Sequence, residues 1–184
     1  IGDLAVRRAL DAFQRARAAH PERADVPLRI EHAQVVHPDD VARFSALSVT
    51  ASVQPTHATS DAPWATARLG ADRIGWAYPW RTLLDAGAPL ALGSDFPVES
   101  VEPGPGLLSA TTRAGWTVTL DQVLTLDEAI AGFTSGPARA VQEEDLGALE
   151  VGKLADLTLW RTDDEGIWRA TGAVVGGEVV AGPK

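Results

Sequence analysis

Hydrophobic and polar positions follow one rhythm over the first half of the chain and another near its end. Between residues 4 and 19, Val6, Ala9, Leu10, Phe13 and Ala16 recur at helical spacing with arginines between them. Asp3 is placed to cap this helix, and Pro21 to end it. After Pro27 comes LRIE, a short strand over 28–31. Pro38, Asp39 and Asp40 suit the first turn of a helix reaching about Leu47, and the Val- and Thr-rich residues 48–53 read as a second strand. Residues 55–71 read as a long polar and aromatic loop. Asp72 then caps a helix running through Trp80, Leu83 and Leu84 to Gly87, and residues 89–92 form a wholly apolar strand.

This order is a repeated αβ pattern. It predicts a parallel sheet with helices on both faces, its strands neighbours through right-handed crossovers. The remainder differs in kind. TLDE, Thr125 to Glu128, is a capping box that opens a helix to about Phe133, and a second helix spans 137–142. From Leu146 the segments LGALEVG, ADLTLW and GAVVGGEVVAG read as short strands, with Gly176 and Gly177 at a tight hairpin turn. A boundary near residue 145 divides the chain into 1–145 and 146–184. About 40 residues of β structure make no independent core, so the second part must lean on other chain.

Composition narrows the functional classes. The 184 residues carry 16 Lys and Arg against 25 Asp and Glu, a formal charge of -9, which argues against nucleic acid and against anionic membrane surfaces. No apolar run approaches the roughly 20 residues of a membrane span. With no cysteine there is neither a thiolate nucleophile nor a thiolate zinc site, so His, Asp and Glu must carry any metal chemistry. The lack of a signal-like apolar segment leans towards the cytoplasm. The chain also contains no methionine and opens on Ile1 with a helix and no strand before it, so the reading expects a piece of a longer protein.

Candidate chemistry sits where strands end. In a parallel αβ sheet or barrel, ligands bind at the carboxyl ends of strands. His32 in LRIEHAQ, His57 in SVQPTHA and Asp95 in LALGSDFPV all fall there. Imidazole and carboxylate suit Zn²⁺ or Mn²⁺, and a carboxylate beside such an ion can take a proton from water. Each motif also has a plainer reading: a hydrogen-bonded structural histidine, or a turn in which Asp95 caps backbone N–H groups. His20 and His37, each before a proline, are assigned to the surface. Trp64, Trp76 and Trp80 flank the predicted loop, where core packing competes with an aromatic-lined pocket. Asp121, Asp127, Glu128 and residues 143–145 read as solvated acidic faces.

RIEHAQ, SVQPTHA, AYPWRTLLDAG, LALGSDFPVE and GALEVGKLADLTLW, in this order and at these intervals, resemble the amidohydrolase superfamily, and within it the family 3 branch that includes N-substituted formamide deformylases. The resemblance implies the C-terminal part of a (β/α)₈ TIM-type barrel, about three strands with their helices, plus part of an accessory β-sandwich. It makes His32 and Asp95 metal ligands, Asp95 also the general base, and His57, Tyr78 and Arg81 candidates for binding substrate or oxyanion, against which stand a packing role for Tyr78 and a surface ion pair for Arg81. It implies a divalent cofactor, Zn²⁺ before others, and hydrolysis of a non-peptide C–N bond in a small amide-type substrate by metal-activated water. A first-strand HxH pair, a lysine and a fifth-strand histidine would precede Ile1. On this reading the 184 residues alone are inactive and are completed by an N-terminal half or by a second copy of the chain. The competing reading is a non-catalytic, self-associating αβ module without metal, its open strand edges paired with another chain.

Overall fold

The computed structural model describes residues 1–164 and 166–182. Among them are seven α-helices and six strands, with three short 3₁₀ turns. Helix α1, Asp3–Ala19, is capped by Gly2 rather than Asp3, which instead lies in the first turn, where its charge favours the helix dipole. Its predicted apolar stripe faces inward: Val6 and Leu10 are buried, with Ala9 and Phe13 packed against the core. Strand β1, Leu28–Glu31, leads into α2, Pro38–Ala46, and β2, Val49–Val53. His37 is not simply a surface residue. Its Nδ1 accepts from Asp39 N and caps α2, while its ring meets Trp76 edge-on at 4.6 Å. His20 is exposed.

The main departure from the expected elements comes next. Residues predicted as a loop form α3, Pro55–Arg73. Pro55 occupies the first turn, where a missing N–H costs nothing, and Ala58 and Ala65 turn one face inward. Gly70, at φ +74, breaks the helix before it ends. The helix expected to start at Asp72 is therefore only α4, Trp80–Asp85, reached through a 3₁₀ turn, and β3, Leu90–Leu92, follows. Helix α5, Pro103–Thr112, has no counterpart among the predicted elements. Gly104 there touches the backbone of β5, Trp168–Val175, so closely that a Cβ would lie 1.9 Å from Trp168 O. Helices α6, Leu126–Phe133, and α7, Ser135–Ala140, follow, and the Thr125–Glu128 capping box is present in both directions.

Strands β1, β2 and β3 form a parallel sheet in that order, matching the αβ reading. The sheet is not covered alike on both faces. Leu28, Ile30, Val49, Ala51, Val53, Leu90 and Leu92 share one face with helices against it, whereas Arg29 and Glu31 pair across to Thr50 and Ser52 on the other. Arg29 and Glu31 are exposed and bond to each other at 2.5 Å. The second sheet is antiparallel: β4, Leu157–Thr162, pairs with β5, and β5 with β6, Glu178–Ala181. Gly176 and Gly177 both take positive φ in the expected hairpin turn. LGALEVG forms no strand; its residues are turns and irregular chain. No helix among the described residues is long and apolar enough to cross a membrane.

Candidate metal centre

The carboxyl ends of the three parallel strands converge on one point. His32 follows β1 directly, His57 lies in the first turn of α3 after β2, and Asp95 stands three residues beyond β3. Each offers a ligand atom, and the three atoms all lie within 4.8 Å of one another. The backbone is bent to deliver two of them: His32 has φ 70° and Asp95 φ 59°, in the left-handed region that non-glycine residues enter at a cost of about 1–3 kcal/mol.

A hydrogen bond prepares His32 for a cation, and the lack of one leaves His57 available. His32 Nδ1 lies 3.0 Å from Gln54 Oε1. An amide oxygen only accepts, so Nδ1 carries the proton and Nε2 keeps its lone pair. The rings of His32 and His57 are stacked, with centroids 5.8 Å apart. His57 Nε2 is buried with no hydrogen-bond partner among the described residues and lies 3.7 Å from Asp95 Oδ2. A buried, unsatisfied ring nitrogen is costly unless something binds it. Asp95 stays 39% exposed, open to water and substrate. Its carboxylate is not the turn-capping group: Ser94 Oγ accepts from Phe96 N, and the backbone oxygen of Asp95 accepts from Val98 N. The donor set of two imidazoles and a carboxylate fits a borderline divalent ion such as Zn²⁺.

A second constellation adjoins the first. Gln34, two residues past His32, and Asp61, one helical turn past His57, meet at the Tyr78 hydroxyl. Tyr78 O–H donates to Asp61 Oδ2, and Gln34 Nε2 donates to the same oxygen at 2.5 Å. Burial, and then the Asp61 carboxylate, push the Tyr78 hydroxyl far above its ordinary pKa, so it stays a proton donor. Tyr78 itself sits at φ 51°, held from behind by Arg113. That fully buried side chain donates to Tyr78 O and Ala77 O, each at 2.8 Å, and lies over the Trp116 ring at 4.4 Å. Burial pulls the Arg113 pKa down to about 10, which leaves it charged at neutral pH.

Tyr78 thus stands beside the cluster, whereas Arg81 does not reach it. The Arg81 guanidinium pairs with Glu128 and with Asp85 and joins α4 to α6. Glu128 is in consequence an ion-paired cap rather than a solvated acid, while Asp121, Asp127 and residues 143–145 are exposed. The three tryptophans divide: Trp80 is fully buried, Trp76 half-buried, and Trp64 47% exposed. Gln54, Gln34, Asp61 and Arg113 were not singled out from the sequence. The two glutamines lie inside the motifs RIEHAQ and SVQPTHA, and Asp61 becomes visible once residues 55–73 are known to be helical, since His57 and Asp61 are then i and i+4. Arg113 carried no signal.

The chain is similar to known proteins over most of its length. The chain is 36% identical over 170 residues to protein LONG AFTER FAR-RED 3 of Arabidopsis thaliana, which aligns with 89% of the chain and 29% of that protein. It is 29% identical over 168 residues to the N-substituted formamide deformylase of Arthrobacter pascens, covering 89% of the chain and 31% of the enzyme. Among solved structures, a metal-dependent hydrolase from Pyrococcus furiosus superposes with a TM-score of 0.73 at 36% identity, over 83% of this chain and 30% of that one. The chain therefore spans about a third of the length of these relatives. The profile of the amidohydrolase family matches residues 1–181, and the chain belongs to that family.

Proposed function

We propose that the chain forms part of a metal-dependent hydrolase cleaving a non-peptide C–N bond of a small amide-type substrate. The observation that carries this reading is the convergence of His32, His57 and Asp95 with a buried, unpartnered His57 Nε2. In this reading His32 and Asp95 hold the ion, and His57 joins them as a third donor in place of the substrate contact its motif suggested. A bound divalent ion, Zn²⁺ before others, would polarise the scissile carbonyl and acidify the attacking water. Asp95, exposed on its open side, takes the proton from that water at a carboxylate oxygen and delivers it to the leaving nitrogen. Gln54 fixes the tautomer and plane of His32, and Tyr78 orients substrate beside the cluster. Arg81 serves as a substrate contact only by leaving Glu128 and Asp85.

We further propose that β1–β3 form an arc of a (β/α)₈ barrel, since their polar face, Arg29, Glu31, Thr50 and Ser52, is opposite the helix-covered one. The antiparallel sheet is then part of an accessory β-sandwich. With Asp95 39% exposed and Arg29 and Glu31 in solvent, no group among the described residues closes a substrate off from water, so the chain by itself is expected not to turn over.

Zinc titration by calorimetry tests the site. The chain should take one zinc, and His32→Ala, His57→Ala and Asp95→Asn should each weaken it at least about a hundredfold. Stoichiometric zinc binding that survives all three substitutions contradicts the assignment. In a full-length protein, Asp95→Asn should abolish hydrolysis; activity retained there removes Asp95 from proton transfer.

A further inference from the structure

Helix α3 carries one stripe that starts at the metal centre and runs away from it. His57, Asp61, Trp64 with Ala65, and Arg68 with Leu69 fall on successive turns of one face. From Asp61 to Leu69 this face lines a partly open cavity of about 500 Å³, whose other side is formed by Gln34, Val35, Tyr78 and the first two residues. At a helical rise of 1.5 Å per residue the lined length is about 12 Å. A larger cavity, about 820 Å³, lies between α6, α7 and the irregular residues 143–153, but shares no residue with the metal cluster.

The two ends of the smaller cavity differ chemically. The end nearest His57 is the Asp61–Gln34–Tyr78 node. Both recorded donors to Asp61 bond to Oδ2, so Oδ1 takes no part in the node and presents an acceptor. The other end is lined mainly by apolar side chains, Val35, Trp64, Ala65 and Leu69, with the exposed Arg68 beside them. An indole left 47% exposed beside a largely apolar cavity is free to pack against a group that enters it. Read along α3 from the metal centre, the chemistry is therefore cation site, hydrogen-bond acceptor, apolar slot. A secondary amide presents the matching order: carbonyl oxygen, N–H, substituent on nitrogen.

We propose that this cavity is the subsite for the nitrogen substituent of the substrate, that it selects an apolar group of about aromatic size, and that Asp61 Oδ1 accepts the amide N–H. The inference rests on the hydrolase reading for which bond lies at the metal centre, but its binding selectivity is a property of α3 and needs no metal.

Calorimetry on the metal-free chain with three probes tests it. N-benzylacetamide should bind about tenfold tighter than N-methylacetamide, which lacks the apolar group, and than N-benzyl-N-methylacetamide, which lacks the N–H. Trp64→Ala removes a partly exposed side chain and should abolish the benzyl preference while leaving the fold intact by circular dichroism. Asp61→Asn should abolish the preference for N–H. Equal affinity for the three probes, benzyl preference retained in Trp64→Ala, or N–H preference retained in Asp61→Asn overturns the proposal. Zinc titration of the same samples reads the metal centre separately: a chain that discriminates the probes but takes no zinc supports this subsite and contradicts the hydrolase reading.

Discussion

His32 shows how a single residue is made into a ligand. A backbone in the left-handed region turns its ring away from the strand, and Gln54 then occupies Nδ1, leaving Nε2 as the reactive atom. The sequence shows a histidine after an apolar run. It does not show the partner 22 residues later, because that hydrogen bond exists only once β1 and β2 pair. Replacing Gln54 by Leu keeps the volume and removes the acceptor. The variant should stay folded and lose about 10- to 100-fold in zinc affinity, as expected when the residue orienting a ligand histidine is lost. Unchanged affinity by competition with a chromogenic chelator would show that Gln54 does not set the tautomer. Arg113 is the opposite case, a cation buried without a carboxylate and held by two carbonyls and an aromatic face. It was invisible in the sequence because the two carbonyls that fix it belong to backbone 35 and 36 residues earlier, and an Arg three residues before a Trp is no signal of burial.

Elements whose signals are local were legible: the amphipathic stripe of α1, the Thr125 capping box, the three parallel strands and the Gly176–Gly177 turn form as read, whereas LGALEVG forms no strand. Helix α3 was not, because its apolar periodicity is weak and Pro63 lies inside it; tertiary contacts secure it instead. Trp116 Nε1 donates to Ala58 O at 2.7 Å and Thr59 Oγ1 to Ser109 Oγ at 2.8 Å. Reading these residues as a loop hid Asp61, which falls on the face of His57 only on a helix. At α6 the capping box does more than start a helix. Pairing with Arg81, followed by the Thr125 backbone N–H, lowers the Glu128 pKa from 4.5 to about 2. A carboxylate depressed in the folded state stabilises above its unfolded pKa, and that stabilisation is lost as pH falls from about 4.5 towards 2. Glu128→Gln should therefore flatten the dependence of melting temperature on pH in this window. An unchanged slope would place the acid sensitivity elsewhere.

The whole molecule presents two unfinished surfaces. Both β1 and β3 have an edge without a strand partner among the described residues, and the antiparallel sheet leaves Leu159, Val175, Val179 and Val180 exposed. Unpaired edges and apolar faces drive association. The isolated 19.4 kDa chain should thus scatter light as a dimer or larger at about 100 µM; a strict monomer there would show that these surfaces are tolerated in water. The parallel order of the sheet was legible in the αβ repeat, but the division into a polar and an apolar face followed only from register. It is the parallel order that brings the three carboxyl ends, and hence the donors, to one end of the sheet. The most direct test is anomalous diffraction at the zinc edge from crystals of the zinc-loaded chain. The account predicts one strong peak coordinated by His32 Nε2, His57 Nε2 and an Asp95 carboxylate oxygen. A peak elsewhere, or a zinc bound without Asp95, would contradict it.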